Sequence, residues 1–110
     1  MGSYYQADHL PRFGEIGEGN PELAQKFFDY YQSVFDDGAL SKREKALIAL
    51  AVAHTVQCPY CIEAYTKGSL ENGSDLEEMT EAIHVATAIR GGASLIHGLQ
   101  MMDEAAKVSM

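Results

Sequence analysis

Cys58 and Cys61, separated by Pro59 and Tyr60, are the only cysteines in the chain and the residues best suited to chemistry. A proline cannot donate to the preceding helical turn, so Pro59 ends one helix and opens the next at its first position. Both sulfurs then sit at a helix start, where amide hydrogens and the positive end of the helix dipole stabilise the reactive thiolate. A pair at this spacing can also close a local disulfide and cycle between dithiol and disulfide. Two other readings stay open on the residues alone: two packed apolar cysteines, or half of a zinc site to which His54 adds a third ligand. No second cysteine pair and no histidine pair at finger spacing follows, so the redox reading leads, with no metal and no cofactor expected. The strand pattern of a thioredoxin-like unit does not precede Cys58, which leaves the reaction undefined at this point.

The elements that position the pair are marked by helix punctuation. Asn20-Pro21-Glu22 supplies a cap, a first-turn proline and a dipole-favoured acid ahead of the amphipathic run Leu23 to Phe35, with Gly38 as its expected end. Ser41 followed by Glu44 reads as a capping box opening a helix through Ala46 to Ala53, apolar on every side. Such a helix must be covered all round, by the rest of the chain or by another subunit, and it is far short of the ~20 apolar residues that span a bilayer. The helix begun at Pro59 should run to Glu71 and close at Asn72-Gly73. Ser74 with Glu77 repeats the capping-box pattern and opens a segment to about Lys107, which Gly91-Gly92 should divide into two helices. Phe27, Phe28, Tyr30, Tyr31 and Phe35 form an aromatic stripe expected in the core or at an interface. Arg90 and His97, with no spacing pattern of their own, are candidates for subunit contacts. The expectation is an all-α fold of about five to six helices in one domain spanning 1–110, its core over about 20–105.

A length of 110 residues with 46% hydrophobic and 22% charged content suits one small domain, and a formal charge of −8 is the wrong sign for gripping nucleic acid or an anionic membrane surface. The start Met1-Gly2-Ser3-Tyr4-Tyr5-Gln6 has no basic region followed by an apolar core, and Gln6 stands where a myristoylation signal wants Ser or Thr. A cytoplasmic, thiol-reducing setting is therefore expected.

Leu40 to Ala53, then Cys58-Pro59-Tyr60-Cys61, then Gly73 and Gly91-Gly92, together resemble the carboxymuconolactone decarboxylase family. The cysteine pair points within it to the alkyl hydroperoxidase D-like branch. A looser likeness, through Cys-Pro-Tyr-Cys with Ile83 to Ala86 and Ile89 to Gly92, is to small peroxidase-like proteins associated with arsenosugar biosynthesis. The resemblance implies an all-helical homotrimer or homohexamer with the redox pair near a subunit boundary. It also implies reduction of a hydroperoxide: a thiolate attacks, the other cysteine captures the sulfenic acid, and an external dithiol, lipoyl-type or thioredoxin-like, reopens the disulfide. Helix-start physics favours Cys58 as attacker; the branch uses the second cysteine, which makes Cys61 the attacker and Cys58 the resolving partner.

The branch's proton relay places a Glu at the position of Ala46 and histidines at those of Tyr60 and Tyr65, so this chain departs from it three times. Substitutes are Glu44, His54, Tyr65 and His84. Continued along one helix, Glu44, His54 and Cys58 share an arc of about 80°, and an antiparallel hairpin at Pro59 would return Tyr65 toward the middle of the first helix. His84 could face the pair from a neighbouring helix. Two rivals to a peroxidase remain: a non-catalytic redox-sensing or binding oligomer, and a lactone decarboxylase in which the cysteines are idle.

Overall fold

In a computed structural model, which describes residues 4–109, a side-chain cap sets the start of each of the first four α-helices. The reading of the first residues as carrying no targeting signal rests partly on Met1, Gly2 and Ser3, which lie outside the described residues. Five helices follow two 3-10 segments, Ala7–His9 and Phe13–Glu18, and no strand occurs among the described residues.

Helix α1 (Pro21–Val34) starts as its sequence dictates, with Asn20 accepting the Leu23 amide at 3.2 Å and Pro21 in the first turn. It ends earlier than Gly38 suggests. Phe35 is the C-cap, donating to the carbonyls of Gln32 and Ser33, and Gly38 lies beyond it with its amide on the Leu40 carbonyl.

Helix α2 (Lys42–Thr55) opens on a complete capping box, in which the Ser41 hydroxyl accepts the Glu44 amide at 3.1 Å and the Glu44 carboxylate accepts the Ser41 amide at 2.9 Å. The helix does not continue to Cys58. Val56 caps it, Gln57 adopts a left-handed conformation at φ 56°, and the amides of Gln57 and Cys58 close back on the carbonyls of His54 and Ala53. This is the paired hydrogen bonding of a Schellman turn, built with glutamine where glycine is usual. The shared helical arc of Glu44, His54 and Cys58 is thereby broken, because the chain reverses before the first cysteine.

Helix α3 (Pro59–Glu71) ends in a second Schellman turn at Asn72-Gly73, where Gly73 takes the positive φ of 89° that a side chain resists. That turn decides how α4 begins. The Ser74 amide is already committed to the Ser69 carbonyl and Ser74 is buried, so the capping box forms one residue later, between Asp75 and Glu78, and not between Ser74 and Glu77.

Helix α4 (Leu76–Ile96) runs straight through Gly91-Gly92, correcting the expected division there; the break falls at His97, before α5 (Gly98–Val108). Glycine weakens a helix without forbidding it. A methyl group at Gly91 or Gly92 would meet nothing within 4 Å, so packing within the chain does not require either glycine.

Helix α2 is the hub, packing against α3 and α4. Ala46, Leu50 and Ala53 line its buried side, and Leu50, 1% exposed, gains roughly 2 kcal/mol by leaving water. The start of α2 is tied to that of α4 by the ion pair of Arg43 with Glu78, and its end by Arg90, whose guanidinium donates to the Thr55 carbonyl. Arg90 thus satisfies a helix C-terminus, a cation at the negative end of the dipole. His97 engages its own chain through the Gln100 side chain at 3.1 Å.

The all-round apolar surface of α2 is only half covered: Ile48 and Val52 on the other side are about half exposed. From Thr87 to Ile96 every residue of α4 is exposed, and α5 buries none of its residues. Accordingly the radius of gyration is 19.0 Å, where a compact chain of this length has about 13 Å.

Candidate dithiol site

Cys58 is the N-cap of α3, and Cys61 lies in its first turn. The two are joined as a disulfide with Cα atoms 5.2 Å apart, and the Cys61 amide points at the Cys58 sulfur at 3.2 Å. An N-cap sulfur that receives a helix-start amide is the better stabilised thiolate of the two. Both cysteines are partly buried and open on a pocket of about 320 Å³. Its walls are aromatic and apolar: Leu10 and Phe13 from the N-terminal segment, Tyr31 from α1, and Tyr60, Ala64 and Tyr65 from α3. Cys61, unlike Cys58, also lines a second, apolar groove of about 430 Å³ between α1 and α2, walled by Val34, Leu40, Ile48 and Val52 among others. Among the described residues no group of three or more His, Cys, Asp and Glu side chains is placed to hold a metal ion.

Of the aromatic stripe of α1, Tyr31 lines the pocket. Phe13, Phe28, Phe27, Tyr31, Phe35 and Tyr65 form a continuous ladder of rings with neighbouring centroids 5.1–5.7 Å apart, ending with Phe35 stacked on Tyr65. The Tyr31 and Tyr65 hydroxyls are hydrogen-bonded to each other, and burial pushes the Tyr31 phenol above its ordinary value. Tyr31 therefore stays protonated near neutrality. Tyr30, 69% exposed, stands outside the ladder.

Of the residues singled out from sequence, the fold brings Cys58, Cys61 and Tyr65 together, through the α2–α3 hairpin. The others do not join them. Glu44 is an exposed acid committed to its capping box, and His54 turns its Nδ1 to the Leu50 carbonyl at 2.8 Å, one turn back on its own helix. His84 is exposed on α4. None of the three lines the pocket.

One residue arrives unannounced. His9, in the first 3-10 turn, lines the pocket with its Nδ1 3.2 Å from the Tyr60 hydroxyl, a contact across 51 residues of sequence. Tyr5 packs on the Tyr60 ring with centroids 4.7 Å apart, and the Gln6 amide donates to the same hydroxyl at 3.4 Å. A lone histidine in a polar segment carries no periodicity, so nothing in the sequence marks it.

Glu44 gives a test of the capping box. Its carboxyl is held below the usual 4.5 by the hydrogen bonds from the Ser41 amide and hydroxyl, with a smaller contribution from Arg43. A depressed folded value means stability present above the ordinary value and lost as pH falls through the folded one. Denaturant midpoints of the wild type should thus drop below about pH 4.5 more steeply than those of Glu44→Gln. Parallel curves would contradict this role.

A five-helix chain that presents a cysteine pair at a helix start, with the helix sequence Leu40 to Ala53 ahead of it, belongs to a defined class. The chain is a member of the carboxymuconolactone decarboxylase family, whose family model matches residues 21–104. It is 44% identical over 94 residues to "uncharacterized protein 4 in cox locus" of Paracoccus denitrificans, covering 83% of this chain and 85% of that one. Its fold resembles a crystal structure from Methanobacterium thermoautotrophicum, at TM-score 0.73 and 33% identity over 76% of this chain and 94% of the other. It also resembles an apo carboxymuconolactone decarboxylase family protein from Legionella pneumophila, at TM-score 0.69 and 33% identity over 82% and 80% of the two chains.

Proposed function

We propose that this protein is a thiol-dependent peroxidase and disulfide oxidoreductase of the alkyl hydroperoxidase D-like branch. The observation that carries the reading is the Cys58–Cys61 pair at the start of α3, opening on an aromatic pocket large enough for a small organic molecule.

In the oxidative half-reaction the Cys61 thiolate attacks the distal oxygen of a hydroperoxide, giving a sulfenic acid and an alcohol. The Cys58 thiol then displaces water and closes the disulfide. In the reductive half-reaction an external dithiol attacks Cys61, Cys58 departs as a thiolate, and the second external thiol releases Cys61. The amide on Cys58 suits this order, because it stabilises the sulfur that departs as a thiolate. Exposure of Cys61 to both cavities supports its role as the attacked and attacking sulfur. The apolar lining favours organic hydroperoxides over hydrogen peroxide, which gains nothing from it.

The working form is a homo-oligomer, a trimer or a hexamer. A folded monomer of 12.0 kDa exposes roughly 6,000 Å², whereas this chain exposes 8487 Å². The excess is of the size that obligate subunit interfaces bury. It lies along the uncovered side of α2, the outer half of α4 and α5, where Val85, Ile89, Ile96, Leu99 and Met102 are each 60% exposed or more.

The reading is tested by oxidising the reduced protein with one equivalent of an organic hydroperoxide and following Cys58–Cys61 closure. Lipoyl, thioredoxin-like and glutathione donors are then offered in turn. Closure by the hydroperoxide and reopening by a dithiol, with sustained turnover, is the expected result. Reversible oxidation without turnover by any donor would make the protein a redox sensor.

A further inference from the structure

The peroxidase cycle leaves a proton unassigned. When the Cys61 thiolate attacks a hydroperoxide, an S–O bond forms, the O–O bond breaks, and the bonding pair leaves on an alkoxide, which is too basic to depart without a proton. The histidines and glutamate that manage this proton in the family pattern are Tyr60, Tyr65 and Ala46 here, and His54, His84 and Glu44 lie away from the pocket. The Tyr65 hydroxyl is paired with the Tyr31 phenol and not with a histidine.

We propose that Tyr60 is the acid that protonates the departing alkoxide, and that His9 of the N-terminal segment is the positioning residue that resupplies its proton. The inference rests on the peroxidase reading. Three observations carry it. Tyr60 is adjacent to Cys61 in the chain and lines the same pocket. Its hydroxyl is held by the Gln6 amide at 3.4 Å and meets His9 Nδ1 at 3.2 Å. With His9 donating from Nδ1, both of those neighbours place hydrogens on the phenol oxygen, and its own hydrogen is left to point into the pocket. Tyr5 packs at a tilt against the Tyr60 ring, with centroids 4.7 Å apart.

The step balances. The thiol proton released as Cys61 ionises passes to solvent before the attack, and solvent in turn restores the proton that His9 gives up. After attack, Tyr60 gives its hydroxyl proton to the alkoxide, forming the alcohol, and recovers a proton from His9. The distal peroxide oxygen stays on sulfur as the sulfenic acid, which retains the peroxide hydrogen. No further oxidant or reductant enters.

The charges around His9 come from several sides. On its own segment Asp8 and Glu15 are both paired with Arg12. Glu18 lines the neighbouring cleft that His9 shares with Arg12 and Glu15. From α3 come Tyr60 and the cysteines, with Glu63 acting on Tyr5, and from α1 comes the neutral Tyr31.

The experiment compares two oxidants on the reduced full-length protein: tert-butyl hydroperoxide, which releases a basic alkoxide, and peracetic acid, which releases a carboxylate that needs no proton. Tyr60→Phe and His9→Gln should each slow oxidation by the alkyl hydroperoxide by about 100-fold and leave oxidation by the peracid unchanged. Equal slowing with both oxidants would assign the pair a structural role and overturn the inference, as would wild-type rates with both. A wild type that neither oxidant converts to the disulfide would overturn the peroxidase reading itself.

Discussion

Cys61→Ser and Cys58→Ser should each reduce hydroperoxide turnover with a dithiol donor by roughly a thousandfold or more, the scale of losing a group that carries a covalent step. The two variants should fail differently. Cys58→Ser keeps the proposed attacking sulfur, so one equivalent of hydroperoxide should leave a sulfenic acid on Cys61 that a carbon nucleophile traps and mass spectrometry locates. Cys61→Ser should form none. The opposite pattern would make Cys58 the attacker, as its position as N-cap under the Cys61 amide would by itself favour. Folding is not at issue, because serine is a better N-cap than cysteine, and its hydroxyl can accept the amide that the Cys58 sulfur now accepts. Full activity in either variant would exclude the dithiol cycle. Decarboxylation of a lactone that survives removal of both cysteines would favour the family's other chemistry.

The second large effect concerns assembly. Val85 and Ile89, one turn apart on α4, are 62% and 68% exposed, and the helix beyond them touches little of its own chain. Replacing both by aspartate places two charges on a face that must desolvate when copies meet, which an interface core does not tolerate without partners. Light scattering of the wild type should return three or six times the 12.0 kDa of one chain, and the double variant a single chain. Its melting temperature should fall as well, since α5 and half of α4 lose their cover. A wild type of one-chain mass would overturn the assembly proposal. The Gly91-Gly92 pair fits the assembly proposal: a methyl group there would meet nothing within 4 Å in the chain, and small residues would let a second backbone approach this face.

Much of the helix frame is legible in the sequence because its signals act over a single turn. Asn20, Ser41 with Glu44, and Asn72-Gly73 each engage backbone groups three to five residues away, Pro59 acts through its own fixed backbone angle, and each appears where expected. The misread boundaries are those where two local signals compete or one is atypical. Ser74 and Asp75 each had a glutamate three residues on, and the preceding turn chose between them by using the Ser74 amide. Gln57 took a left-handed turn without the glycine that announces one, which detached Cys58 from the helix of His54. Gly91-Gly92 remained helical because the surrounding turns are strong helix formers and nothing in the chain bends them.

By itself, then, the sequence determined an all-helical chain of the carboxymuconolactone decarboxylase family with a cysteine pair at the start of a helix. Hydrogen bonds within one turn and the rigid ring of Pro59 are enough to specify that much. Which groups surround the pair was decided only in three dimensions. Tyr31 reaches Tyr65 across 34 residues and His9 reaches Tyr60 across 51, while Glu44, His54 and His84 are held elsewhere by a cap, a carbonyl and an exposed helix face. Contacts of that range depend on how separate helices pack and on where the N-terminal segment crosses them, and no spacing along the chain encodes either.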